Sequence, residues 1–142
     1  MHDGFSLTAE NFISNNGDRV RVRAKEFGSV PGHLIVTNKS EYVWRIFIEK
    51  PTSLSVDVSY GFKGKGNGGK ITVETAGESF SHKVSNTGLF VKEPGQESRL
   101  ENYKSFRLGV INFTEPGYYN VKVTVEPKNN EEVDFQWIWL GQ

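Results

Sequence analysis

The sequence predicts an all-β domain, a two-sheet antiparallel β-sandwich. Three observations carry this. The C-terminal third reads as a strand over residues 103–113, a tight turn of Thr114, Glu115, Pro116 and Gly117, a strand over 118–126, a polar loop, and a strand over 133–140. Upstream, short segments alternate polar and apolar residues between turn signals, the period-2 mark of strands with one buried face. No amphipathic helix of useful length is present to cross between parallel strands, so the sheets are expected to be antiparallel. Composition agrees: fifteen Gly, ten Phe, five Tyr and three Trp in 142 residues suit many turns and bulky core filling.

From the N-terminus, residues 6–14 have room for one helical turn at most. Residues 18–24 alternate Arg19, Arg21 and Arg23 with Val20, Val22 and Ala24, a first strand. Residues 32–37 are a second. In residues 42–48, Tyr42, Trp44, Ile46 and Ile48 share one face and Val43, Arg45 and Phe47 the other, so both faces are expected to be partly covered. Pro51 stops this strand because it cannot donate to a ladder. Residues 53–60 alternate most cleanly, with Leu54, Val56, Val58 and Tyr60 on the apolar side. A glycine-rich loop, 61–69, leads to strands 70–75 and 78–84, joined as a hairpin by Ala76 and Gly77. Residues 87–91 read as a brief strand or rim segment, and 92–102 as a polar loop. Gly109 interrupts the next strand and suggests a bulge. Trp44, Trp137 and Trp139 alternate with the core pattern and are read as core filling. About eight to ten short strands result, in one domain spanning 1–142.

Composition also excludes. Lys and Arg total 17, as do Asp and Glu, and the pI is about 6.8, against the clustered basic excess of a broad nucleic-acid surface. No apolar run approaches the roughly 18 residues that span a bilayer. Neither nucleic acid nor membrane is therefore expected as a partner, and no signal peptide is visible at the start. Without cysteine there is no disulfide, thiol chemistry or Cys-based metal site.

Several patterns resemble chemistry without its context. Gly64 to Gly69 satisfies GxGxxG and much of a phosphate-loop pattern, but Ile71 replaces the required hydroxyl and a strand follows where a helix is needed. The segment is read as a flexible loop. His2, His33 and His82 lack zinc-ligand spacing. Glu131 and Glu132 sit in a polar loop and read as solvation. No nucleophile elbow or facing carboxylate pair can be assembled, so no catalytic residue is expected and the chain is not read as an enzyme. Asn38 and Asn112 head glycosylation sequons, which matter only in a eukaryotic secretory protein.

Residues 37–51, with Trp44 and Pro51, resemble the Trp-bearing strand and turn of galactose-binding-like, jelly-roll carbohydrate-binding modules. Residues 53–60 resemble the next strand of that family, and 69–80 its short hairpin. Val84, Thr87, Gly88 and Phe90 are similar to a Val-x-x-Thr-Gly-x-Trp element, with Phe90 in place of Trp. Residues 106–113, 115–123 and 133–140 complete the likeness, which covers about 37–140. The resemblance implies a jelly-roll sandwich of the kind appended to bacterial glycoside hydrolases, including α-L-fucosidases, and to sulfatases. It implies a secreted, periplasmic or cell-surface location and a covalently linked catalytic domain.

The resemblance further implies a sugar site in loops at one end of the sandwich. The matching positions are Phe62, Phe90, Asn129 and Asn130. The Phe rings would stack on a sugar face, and the Asn amides would meet vicinal hydroxyls. Phe62 is expected to be exposed because its loop is glycine-rich and polar. Arg45 and Lys65 would serve an acidic or sulfated sugar. Related modules hold a structural calcium through an early Glu and a late Asp. Glu10 fits the first position, but Gln136 stands at the second and is the weaker ligand. No other cofactor is expected. The lead expectation is a non-catalytic carbohydrate-binding module. The alternative is a structural or protein-interaction sandwich that packs against a catalytic domain without binding sugar; it calls for one large exposed apolar patch.

Overall fold

The computed structural model describes residues 4–19, 21–22, 33–64, 67–87, 103–128 and 131–141. Among them, eleven strands follow in chain order: β1 (Gly4–Thr8), β2 (Ser14–Asn16), β3 (Arg21–Val22), β4 (His33–Val36), β5 (Ser40–Ile48), β6 (Thr52–Gly61), β7 (Gly69–Thr75), β8 (Glu78–Lys83), β9 (Lys104–Phe113), β10 (Gly117–Pro127) and β11 (Val133–Gly141). They form two sheets. One runs β3-β4-β11-β6-β9 with β1 also paired to β11, and the other runs β2-β5-β10-β7-β8. The pairings are antiparallel, as expected without crossover helices.

Three local expectations change. Residues 4–8 are a strand, not a helical turn, because Gly4 to Thr8 pair with Gly141 to Trp137. The strand expected over 18–24 appears as the short β3, with residues 20, 23 and 24 outside the described set. Thr87, the one described residue of the expected 87–91 segment, is not in a strand.

Elsewhere the alternation sorts side chains as the sequence implies. Tyr42, Trp44, Ile46 and Ile48 of β5 and Leu54, Val56, Val58 and Tyr60 of β6 are buried between the sheets, with Val121, Val123 and Val125 of β10. The buried Trp44 indole N–H donates to Asn11 Oδ1 (2.8 Å) and the Thr8 carbonyl (3.0 Å), so the interior donor is satisfied. Asp18 accepts from the backbone N–H groups of Thr37 (2.8 Å) and Asn38 (3.1 Å), tying the start of the chain to the β4–β5 turn. The Thr37 backbone bond leads the causes that hold the Asp18 carboxyl below its ordinary value. The Tyr42 hydroxyl donates to the Asp18 carbonyl, and burial pushes that hydroxyl up to about 12.

Ala76 (φ 52°) and Gly77 (φ 75°) both take positive φ, which turns β7 into β8 through a two-residue hairpin loop. The expected bulge is present in β9: Val56 faces Gly109 and Asp57 faces Arg107, which leaves Leu108 unpaired in the register. A second bulge lies in β11 at Gln136, between the pairs of Phe135 and Trp137.

Candidate functional site

Phe62 corrects the expectation of an exposed platform: its ring is fully buried. The glycines that suggested exposure are what bury it. A Cβ on Gly64 or Gly68 would come within 2.5 Å of Phe62 Cζ, so the loop closes over the ring only because both side chains are absent. The buried Thr87 locks the loop, with its Oγ1 accepting from Phe62 N–H (3.0 Å) and its own N–H donating to the Phe62 carbonyl (3.0 Å). A face so enclosed cannot stack on a sugar. Phe90, Asn129, Asn130 and Lys65 lie outside the described residues.

Arg45 is exposed, and its neighbours on the same face include exposed aromatic rings. On β5 the core residues alternate with Glu41, Val43, Arg45 and Phe47, which point to the outer face of the five-stranded sheet. The register sets Phe47 opposite Tyr118 and Arg45 opposite Asn120. Phe47 and Tyr118 are 47% and 74% exposed, and their ring centroids are 4.9 Å apart at 57°. Arg45 Nε donates to Asn120 Oδ1 (3.1 Å), which fixes the guanidinium plane and directs its terminal N–H groups away from this bond. Asn120 is anchored in turn, because Thr75 Oγ1 donates to its carbonyl (2.9 Å). Two aromatic faces and a held donor pair thus occupy adjacent rows of one rigid ladder, roughly 7 Å apart along the strands.

The rest of this face is polar. Glu41, Thr124, Thr72 and Ser81 form one cross-strand row, and Thr72 shares a hydrogen bond with Ser81 (3.1 Å). Lys122 meets Glu74 at 3.9 Å and Lys70 meets Glu126 at 3.8 Å. At the end opposite the aromatic pair lies an open groove of about 610 Å³ lined by Asn67, Lys70, His82, Lys83, Glu126 and Lys128. His82 Nε2 shares a 2.8 Å hydrogen bond with the Tyr60 hydroxyl, and burial lowers the pKa of its ring.

The calcium pair implied by the resemblance is Glu10 with Gln136. Glu10 is exposed in the turn after β1, whereas the buried Gln136 spends its Oε1 on the Ser59 hydroxyl (2.6 Å). Among the described residues no group of three or more His, Cys, Asp or Glu could hold a metal ion.

Phe47 and Tyr118 were not singled out by the sequence. Phe47 was legible as sharing the Arg45 face, and the expected partial cover over that face is absent at both residues. Tyr118 joins it only through the pairing of β5 with β10.

No profile of a protein family matches the sequence, and no curated protein matches it. The fold is similar to that of the C-terminal CBM6 of LamC, a marine laminarinase from Zobellia galactanivorans: identity is 16%, TM-score 0.64, with 99% of this chain and 100% of that one covered. It is similar to the carbohydrate-binding module CBM6cm-2 of Cellvibrio mixtus lichenase 5A, solved with cellotriose: 14% identity, TM-score 0.65, 99% and 98% covered. It is also similar to part of the mosquito-larvicidal Cry4Aa toxin from Bacillus thuringiensis: 10% identity, TM-score 0.70, 96% of this chain but 23% of the toxin. At these identities the likeness is one of fold, and the fold is the β-sandwich of carbohydrate-binding modules, as expected.

Proposed function

We propose that this chain is a non-catalytic carbohydrate-binding module whose glycan lies on the outer face of the five-stranded sheet. The observation that carries the reading is the exposed Phe47–Tyr118 pair beside the bonded Arg45–Asn120 pair. An aromatic platform contributes apolar contact at low entropic cost, and a few fixed polar groups orient the ligand. The fold shared with modules such as that of lichenase 5A supports the reading. The groove with Lys70, Lys83 and Lys128 extends the same face and suits an acidic or sulfated glycan. Such a module acts by raising the local concentration of a linked catalytic domain on its polysaccharide. The partner domain is a glycoside hydrolase, for example an α-L-fucosidase, working outside the cell or at its surface.

The packing alternative asks for one contiguous apolar patch. Among the described residues the exposed large apolar side chains are instead divided: Phe47 and Tyr118 on one sheet, Val110 and Trp139 on the other, and Ile13 beside β2.

The test is native affinity electrophoresis of the chain in gels cast with laminarin, hydroxyethylcellulose, xylan, galactan or alginate, with and without EDTA. Retardation by one class, unchanged by EDTA, is the expected result. Unretarded migration of the folded chain in every gel contradicts the reading.

A further inference from the structure

We propose that the outer face of the six-stranded sheet carries a second carbohydrate platform, centred on Trp139 and independent of the Phe47–Tyr118 face. This rests on the reading of the chain as a carbohydrate-binding module. On β11, Ile138 and Leu140 enter the core while Trp139 faces outward and is 37% exposed. Its indole lies across the cross-strand glycine pair Gly4 and Gly141. A Cβ on Gly4 would fall 2.8 Å from Trp139 Cζ2, and one on Gly141 would fall 2.3 Å from Nε1. Neither glycine is among those with positive φ, so backbone conformation does not require them. What their bare backbones provide is room for the ring to lie over the sheet with its other side toward solvent.

The row containing Trp139 runs Ser6, Trp139, Asp57, Arg107 across β1, β11, β6 and β9. Arg107 Nε donates to Asp57 Oδ1, which fixes a carboxylate and a guanidinium beside the ring. In the next row the Ser55 hydroxyl is held by the Gly141 carbonyl (3.0 Å). An indole face flanked by a fixed acceptor, a fixed donor fork and hydroxyls has the recognition chemistry of a pyranose: C–H contact below and hydrogen bonds at the rim. A protein partner would ask for a broader apolar surround; among the described residues, the half-buried Trp137, two residues along β11, and the exposed Val110 share this face with the ring. The two platforms lie on opposite outer faces of the sandwich, so one chain would hold two glycan strands and bridge them.

The experiment compares the wild-type chain, Phe47→Ala/Tyr118→Ala with and without Arg107→Ala, Trp139→Ala and the triple variant Phe47→Ala/Tyr118→Ala/Trp139→Ala. Each is run in the polysaccharide gels above and mixed with the soluble form of whichever polysaccharide retards the wild type. The double variant leaves Trp139 and its glycines untouched, and Arg107→Ala leaves the ring in place. Residual retardation of the double variant, lost in the triple variant, is expected, and Arg107→Ala added to the double variant is expected to weaken what remains severalfold. Turbidity from cross-linked polysaccharide is expected with the wild type only. If the double variant loses all retardation in every gel that retards the wild type, the second platform is overturned while the module reading stands, and Trp139 only covers the glycine pair. If the wild type is retarded in no gel, both fall together.

Discussion

Tyr118 stands opposite Phe47 in the β5–β10 ladder, and the two rings touch at 4.9 Å while both stay largely open to water. Large aromatic side chains are usually drawn into a core, and each of these strands sends its alternate apolar residues there. An exposed pair at one register position is therefore available for a ligand and contributes little to the fold.

Removing that pair separates binding from stability. Tyr118→Ala and Phe47→Ala are each expected to lower stability by no more than about 1 kcal/mol, the range of a cross-strand pair. Each is expected to weaken polysaccharide retention on the five-stranded face by about tenfold or more, as for a central contact residue. Thermal unfolding and affinity electrophoresis read the two effects; a large fall in melting temperature with unchanged retention would assign the pair to the fold.

Phe62 is expected to behave in the opposite way. Phe62→Ala empties a buried site and should cost about 3–5 kcal/mol. Retention per folded molecule should not change. Denaturant titration checks the first statement, and electrophoresis at low temperature the second.

Arg45→Lys keeps the charge but loses the Nε–H that bonds Asn120. Retention should fall about fivefold, near the effect of Arg45→Ala, since the loss is of a directed bond of roughly 1 kcal/mol. Full retention by the Lys variant would show that charge alone matters at this position.

His82 predicts an acid-side slope. Burial depresses its folded pKa below the ordinary 6.5. Above that ordinary value the ring is neutral in both states and imposes no penalty. As pH falls below it the unfolded chain takes up the proton first, and stability declines until the folded ring also titrates. His82→Gln should flatten the change in unfolding free energy between pH 7 and the depressed value, as read by urea titrations at each pH. An unaltered slope in the variant would place the acid sensitivity elsewhere.

The strands were legible wherever one face is buried, because alternation then states the face directly: β5, β6 and β10 are examples. Three features were not, each for a physical reason. Phe62 sits in a loop whose composition argues for exposure, and its burial depends on Gly64 and Gly68 packing onto the ring and on Thr87, 25 residues away. In the sequence Trp139 alternates with the core pattern, as strand-borne Trp usually does, and in β11 the buried Val133 and Phe135 keep its odd-numbered phase. The bulge at Gln136 inverts that phase, so Ile138 and Leu140 turn inward and Trp139 outward. Tyr118 needed the β5–β10 register to meet Phe47, and one strand's pattern does not reveal its partner.

The most direct measurement is an amide chemical-shift titration of the nitrogen-15-labelled chain with oligosaccharides from whichever panel polysaccharide retards it. The account predicts that perturbations include residues 43–47 of β5 and 118–122 of β10. Shifts confined to the loop around Phe62 and Thr87, with β5, β10 and the groove beside Lys70 unmoved, would contradict it.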